Sequence, residues 1–164
     1  MYASIKFISP IGIITIEESI NGIARVDISD PASDKPVDTE SDELLLRARS
    51  QILEYLNGTR REFDLQLDWG AMTAFQADVL QKTLSIPYGE TRTYGEIAHA
   101  LGKPAASRAV GGALARNPLP LLIPCHSVVS STRALTGYSA AGGIITKARL
   151  LQMEGQRVVG KKLD

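Results

Sequence analysis

Thr93-Tyr94-Gly95-Glu96-Ile97-Ala98-His99-Ala100-Leu101-Gly102-Lys103-Pro104-Ala105-Ala106-Ser107-Arg108-Ala109-Val110-Gly111-Gly112-Ala113-Leu114-Ala115 reads as two short helices joined by a turn. Thr93 and Glu96 form a capping box, in which each side chain satisfies the other residue's orphan amide. Ile97, Ala98 and Leu101 then face inward, and Gly102 ends the first helix. Pro104 is predicted to open the second helix, which runs to about Ala115 before Asn117-Pro118 stops it. Two helices around a glycine-containing turn suggest a helix-turn-helix, although any helical bundle contains such pairs. The second helix is unusual in its lack of bulk. Arg108 is its one long side chain, and its paired glycines cost about 1 kcal/mol each relative to alanine. Close approach of a second backbone would offset that cost, whether from a neighbouring helix or from a nucleic-acid groove.

Upstream, Thr73-Ala74-Phe75-Gln76 reads as another capping box, opening a helix with Phe75, Val79 and Leu80 inward. The period changes before residue 70. Ile5 and Phe7 alternate with polar residues, Ser9-Pro10-Ile11-Gly12 is a turn, and Ile13, Ile14 and Ile16 carry a second strand. Asn21-Gly22 is expected to supply two positive-φ positions for a tight hairpin into a third strand, Ile23 to Ile28. Residues 29–40 read as an exposed acidic loop. Ser41 can cap a helix carrying Leu45, Ala48, Ile52 and Leu56, stopped at Asn57-Gly58. Phe63, Leu65, Leu67 and Trp69 alternate as a half-buried strand. The expected class is α+β. A small antiparallel-sheet domain over residues 1–69, with a bracing role, precedes a mostly helical, winged helix-turn-helix-like domain over residues 70–164.

Net charge is zero over 164 residues, but its distribution is uneven. Residues 1–80 hold 7 Lys+Arg against 14 Asp+Glu, a charge of −7, and residues 81–164 hold 11 against 4, a charge of +7. A basic half can neutralise phosphates and release counterions, so nucleic acid is a candidate partner. No apolar run is long enough to span a bilayer, and the N-terminus lacks a signal-peptide layout. One cysteine cannot form an internal disulfide, which fits a reducing cytoplasm, or the nucleus of a eukaryote. One cysteine and two histidines cannot build a typical zinc cluster either, so neither metal nor cofactor is expected.

That cysteine lies in Ile123-Pro124-Cys125-His126-Ser127-Val128-Val129. A lone thiol on an apolar run is often packing. Beside a histidine and a conformation-fixing proline, it also reads as a held nucleophile. Together with Ile86-Pro87-Tyr88-Gly89-Glu90-Thr91-Arg92-Thr93-Tyr94-Gly95-Glu96-Ile97-Ala98, Ala106-Ser107-Arg108-Ala109-Val110-Gly111-Gly112-Ala113-Leu114, Asn117-Pro118, Gly137-Tyr138-Ser139, Gly142-Gly143, Lys147, Leu150-Leu151 and Glu154-Gly155, this segment closely resembles the O6-alkylguanine-DNA alkyltransferases. The resemblance covers about residues 70–158 in the family's own order.

The resemblance implies direct repair of alkylated DNA, with irreversible, stoichiometric transfer of the O6-alkyl group of guanine to Cys125. O4-alkylthymine is a further candidate substrate. His126 and Glu154 would activate the thiol, with a water bridging Cys125 to His126. Tyr94 would donate its proton toward N3 of guanine, although alone it reads as readily as an amphipathic surface tyrosine. The helix bearing Ser107, Arg108, Ala109 and Gly111 would enter the minor groove of duplex DNA, with Arg108 filling the gap left by a flipped base. Asn117 would couple that helix to the active-site loop. Val128, Tyr138, Ser139 and Lys147 would line the pocket, the Val128 carbonyl meeting the guanine amine and the Ser139 amide meeting O6. The protein is expected to act as a monomer, without membrane association.

Two departures stand out. Position 127 is Ser where the family usually has Arg, and Ala140-Ala141 is an apparent insertion that would reshape the pocket lid. Three other classes compete. A non-catalytic relative that binds alkylated DNA carries tryptophan at the cysteine position, so Cys125 argues against it. A winged-helix regulator needs more base-reading side chains than this helix offers. A cysteine hydrolase built on Cys125 and His126 would turn over ester substrates.

Overall fold

The computed structural model describes residues 3–31 and 42–164 of the chain. It is an α+β structure with two compact units. One comprises residues up to Ala71 together with Ala140–Gly142, and the other comprises Met72–Ser139 and Gly143–Asp164.

In the first unit, β1 (Ala3–Ser9), β2 (Gly12–Ser19) and β3 (Gly22–Ser29) form an antiparallel meander. Ile5 pairs with Ile16 and Phe7 with Ile14, and across the second ladder Ile16 pairs with Val26 and Ile14 with Ile28. Helix α1 (Glu43–Leu56) contributes Leu45, Ala48, Ile52 and Tyr55 to the buried side. Each fully buried Ile or Leu contributes about 1.5–3 kcal/mol. A bulge at Glu17/Glu18 makes Arg25 face Glu17 and Ile23 face Glu18, so Ala24 has no partner of its own. The extra residue flips the alternation, which is why Ile23 is buried along with Val26 and Ile28 despite their different parity.

Several local expectations are corrected. The second hairpin turns on Ile20-Asn21, and Asn21 lacks positive φ; Gly22, at φ +132°, starts the next strand. The Ser19 hydroxyl accepts the Asn21 amide, as the Ser9 hydroxyl accepts that of Ile11, so both turns run Ser-x-x-Gly with the serine bridging the bend. The Ser41 cap and most of the acidic loop lie outside the described residues; the Asp42 side chain caps α1 through the Leu45 amide at 3.1 Å. Burial alternates from Phe63 to Leu67, but Phe63–Trp69 is no strand. Only Leu67 forms a bridge, to Ile23, while the side chain of Gln51 on α1 takes up both the amide and the carbonyl of Asp64. A helix side chain thus satisfies backbone groups that a neighbouring strand would otherwise pair.

The second unit holds α2 (Ala74–Leu84), β4 (Arg92–Thr93), α3 (Tyr94–Ala100), α4 (Ser107–Ala115), a 3-10 turn at Cys125–Ser127, β5 (Val128–Val129), α5 (Ile144–Met153) and the hairpin β6 (Val158–Val159)/β7 (Lys162–Leu163). Val129, Leu135, Leu151 and Leu163 form a small core beneath that hairpin. Thr93 and Glu96 make the full capping box of α3. Thr73 caps α2, but Gln76 does not reach back to it; its amide donates to the Arg116 carbonyl at 3.0 Å, at the end of α4. Helix α4 begins at Ser107 rather than at Pro104. The Ala106 amide bonds the Lys103 carbonyl, so Pro104 sits inside a tight turn before the helix.

Candidate active site

Cys125 is 9% exposed and lies at the edge of a pocket of about 290 Å3, lined also by Tyr94, Gly111, Leu114, Ala115, Gly137, Tyr138 and Ser139. That volume is at the lower end of small-molecule sites, enough for one flat ligand and little more. Helix α4 contributes one wall through its missing side chains. A Cβ on Gly111 would rest 3.9 Å from the Tyr94 ring, in ordinary contact, and no backbone lies close to Gly111 or Gly112. The two glycines of α4 are therefore not explained by a tightly packed helix within the described residues.

The chain between α4 and Cys125 is held by Asn117. Its Nδ2 donates to the Ile123 carbonyl at 3.1 Å, and its Oδ1 accepts from the Leu119 amide at 2.9 Å. The left-handed conformation in this segment belongs to Leu121, at φ 71° and 2% exposed. A buried leucine in that region costs on the order of 1–3 kcal/mol, and the Asn117 clamp on both sides holds it there. The helix end itself is Arg116, with ordinary φ.

His126 is 1% exposed, and its Nε2 lies 2.5 Å from Glu154 Oε2. Glu154 caps the C-terminal end of α5, where the helix dipole disfavours a carboxylate. Two partners hold it there: His126, and the Gly89 amide, which donates to Oε1 at 2.9 Å. Gly89 adopts φ +83°, and a Cβ would approach the Glu154 carbonyl oxygen to 3.0 Å, so glycine is required for this closure.

Lys147, also 1% exposed, donates to the carbonyls of Val128 at 2.6 Å and Thr136 at 2.9 Å. Burial pulls its ammonium down to about 8, opposed by attraction to Cys125. Burial also raises the Cys125 thiol above its ordinary range, while a hydrogen bond from Asn117 and the Lys147 charge work the other way. The cation that favours the thiolate is thus Lys147, a contribution that adjacency of Cys125 and His126 in sequence did not reveal. The Tyr94 hydroxyl reaches Thr136, at 3.1 Å to its Oγ1 and 3.3 Å to its carbonyl. Thr136 consequently links Tyr94 to Lys147, and no motif marked it.

Tyr138 has its hydroxyl buried without a hydrogen-bond partner. Ser139 is exposed at the pocket rim, and Ser127 is buried in the 3-10 turn. The inserted Ala140-Ala141 belongs to the other compact unit, where the Ala141 amide bonds the Ile28 carbonyl at 3.2 Å. On α4, Arg108 and Ala109 are exposed and Ser107 is half-buried. The structure thus gathers Cys125, His126, Glu154, Asn117, Lys147, Val128, Tyr94, Tyr138 and Ser139 in or around one pocket, and leaves Arg108 on the surface outside its lining. Among the described residues no cluster of three or more His, Cys, Asp or Glu could hold a metal ion, and no helix is long and apolar enough to cross a membrane.

Residues 74–156 match the DNA binding domain of 6-O-methylguanine DNA methyltransferase, and residues 2–69 match its ribonuclease-like domain. The methylated-DNA–protein-cysteine methyltransferase of Methanosarcina acetivorans is 41% identical, with 94% of this chain and 99% of that protein covered. The crystal structure of Mycobacterium tuberculosis O6-methylguanine methyltransferase is similar over 98% of this chain and 96% of that one, with 36% identity and a TM-score of 0.81. A second structure from that organism, described as OGT in complex with DNA, covers 93% and 91% at 37% identity, with a TM-score of 0.78.

Proposed function

The chain belongs to the 6-O-methylguanine DNA methyltransferase family, and from that premise we propose that it repairs alkylated DNA by moving the O6-alkyl group of guanine onto Cys125. The observation that carries this reading is the lone thiol at a base-sized pocket, with a buried His126–Glu154 pair beside it in sequence and structure. The Cys125 proton passes toward His126, whose positive form Glu154 stabilises. The thiolate sulfur attacks the alkyl carbon, an S–C bond forms and the C–O6 bond breaks. Guanine departs with the electron pair and takes up a proton at N3, with Tyr94 as the donor.

Sulfur in a thioether has no good leaving group, and neither His126 nor Glu154 offers a second nucleophile. One alkyl group is therefore accepted per chain. Duplex DNA is the partner, supported by the basic C-terminal half and by the M. tuberculosis structure described as a complex with DNA. The bare face of α4 suits the minor groove, where Arg108 occupies the space of the extruded base. Residues 70–164 carry binding and chemistry and residues 1–69 brace them, in a chain that acts as a monomer in the cytoplasm.

The test is DNA bearing radiolabelled O6-methylguanine. All label should move to Cys125, one equivalent per chain, leaving guanine in the strand. Multiple turnovers, release of free modified base, or label on another residue would overturn this function.

A further inference from the structure

A buried hydroxyl with no partner costs on the order of 1–3 kcal/mol, so native proteins rarely keep one without a use. Among the described side chains, the Tyr138 hydroxyl stands out in this respect. Tyr138 lines the same pocket as Cys125 and Tyr94. Its acidity is pushed well below that of an ordinary phenol, first by burial and then by the neighbouring Cys125 charge, so it stays a protonated donor. These facts put an O–H with nothing to bind close to the sulfur that attacks.

The geometry of displacement supplies the missing acceptor. When a thiolate attacks an alkyl carbon, the leaving oxygen lies one bond beyond that carbon, in line with the sulfur. A residue that lines the pocket beside the sulfur is therefore in the neighbourhood of that oxygen, and the Tyr138 hydroxyl sits enclosed in the pocket wall. We propose, on the alkyl-transfer reading above, that the Tyr138 hydroxyl donates a hydrogen bond to O6 of the bound guanine as the C–O6 bond breaks. The S–C bond forms, the C–O6 electron pair passes into the guanine ring system, and the Tyr138 O–H stabilises the charge that gathers on O6. The proton that neutralises guanine still arrives at N3, and Tyr138 keeps its own. Ser139, the residue whose amide would otherwise serve O6, is exposed at the rim and precedes the inserted Ala140-Ala141, so a donor from within the pocket wall has a clear task. A donor aimed at developing oxyanion charge in a dry site acts mainly on the transition state.

Tyr138→Phe removes only the hydroxyl. Single-turnover transfer from duplex O6-methylguanine should slow by about a hundredfold, the usual loss for one such donor. The loss should shrink with an O6-alkyl-8-azaguanine substrate, whose leaving group is more acidic. Affinity for the modified duplex, compared between Cys125→Ser and the Cys125→Ser/Tyr138→Phe double variant, should not change. Iodoacetamide needs no donor at O6, so its rate of alkylating Cys125 and the pH profile of that rate should be those of the wild type. The thermal midpoint should hold or rise, because an unpaired hydroxyl has been removed. An unchanged transfer rate would overturn the inference, as would a shifted iodoacetamide profile, which would mean that Tyr138 acts through the thiol. A lowered midpoint would show that the hydroxyl is paired in the folded protein and would refute the premise. Wild-type protein that accepts no label overturns the repair reading, and this inference with it.

Discussion

Lys147→Met tests the electrostatics of the pocket and yields a sign as well as a size. Methionine keeps the length of the side chain but removes the ammonium, which is 1% exposed and bonded to the Val128 and Thr136 carbonyls at 2.6 and 2.9 Å. Losing the donor to the buried Val128 carbonyl costs about 1–3 kcal/mol, whereas the Thr136 carbonyl keeps the Tyr94 hydroxyl at 3.3 Å. Removing the buried charge offsets that loss. A drop from an ordinary lysine value near 10.5 to about 8 corresponds to about 3 kcal/mol of penalty on the charged form in the folded protein. The two effects nearly cancel at pH 7, so stability there changes little. The pH dependence does not cancel. Between about 8 and 10.5 the unfolded chain holds a proton on this lysine that the folded chain has lost. Wild-type stability therefore gains about 3 kcal/mol over that interval relative to Lys147→Met, with the penalty fully present below about 8. Urea unfolding of both proteins at pH 7, 8.5 and 10 measures this difference. The same substitution removes the cation opposing Cys125, so the pH midpoint for iodoacetamide alkylation should move up. Parallel stability curves for the two proteins, or an unmoved alkylation midpoint, would refute the argument.

Asn117→Ala strands the Leu119 amide, leaves the Ile123 carbonyl to the Cys125 amide alone and frees the strained Leu121, so it should lose about 1–3 kcal/mol in urea unfolding and slow Cys125 alkylation at neutral pH. Arg108→Ala should slow repair of duplex DNA far more than transfer from free O6-benzylguanine, because a free base leaves no gap to fill; equal losses on both substrates would sink its assignment. Gly22→Ala places a Cβ 2.5 Å from the Gln66 carbonyl oxygen at φ +132°, and should cost about 3 kcal/mol, read as a lowered urea midpoint; no change would mean that the chain relaxes there freely.

Much of this protein was legible in its sequence because the signals are local. The meander follows from isoleucines at alternate positions between Ser-x-x-Gly bends, and α3 from a capping box whose two halves lie three residues apart. The alkyltransferase resemblance rests on motifs in a fixed order, and both the family matches and the α+β fold agree with it. Two of the misreadings share one cause: a distant group won a competition that local pattern could not register. Gln76 leaves its own cap for the Arg116 carbonyl 40 residues on, and Gln51 takes the backbone of Asp64 out of contention for a strand. The same reasoning separates what is known about the site. Sequence alone identified Cys125 as the candidate nucleophile, since a lone thiol needs no partner to be noticed. Only the tertiary structure decided that Lys147, 22 residues away, supplies the cation facing it, that Gly89 and His126 together hold Glu154 at an unfavourable helix end, and that the Tyr138 hydroxyl is left without a partner. A thiol's acidity and a hydroxyl's unpaired state are sums over everything within a few ångströms, and the order of residues along a chain does not contain that sum.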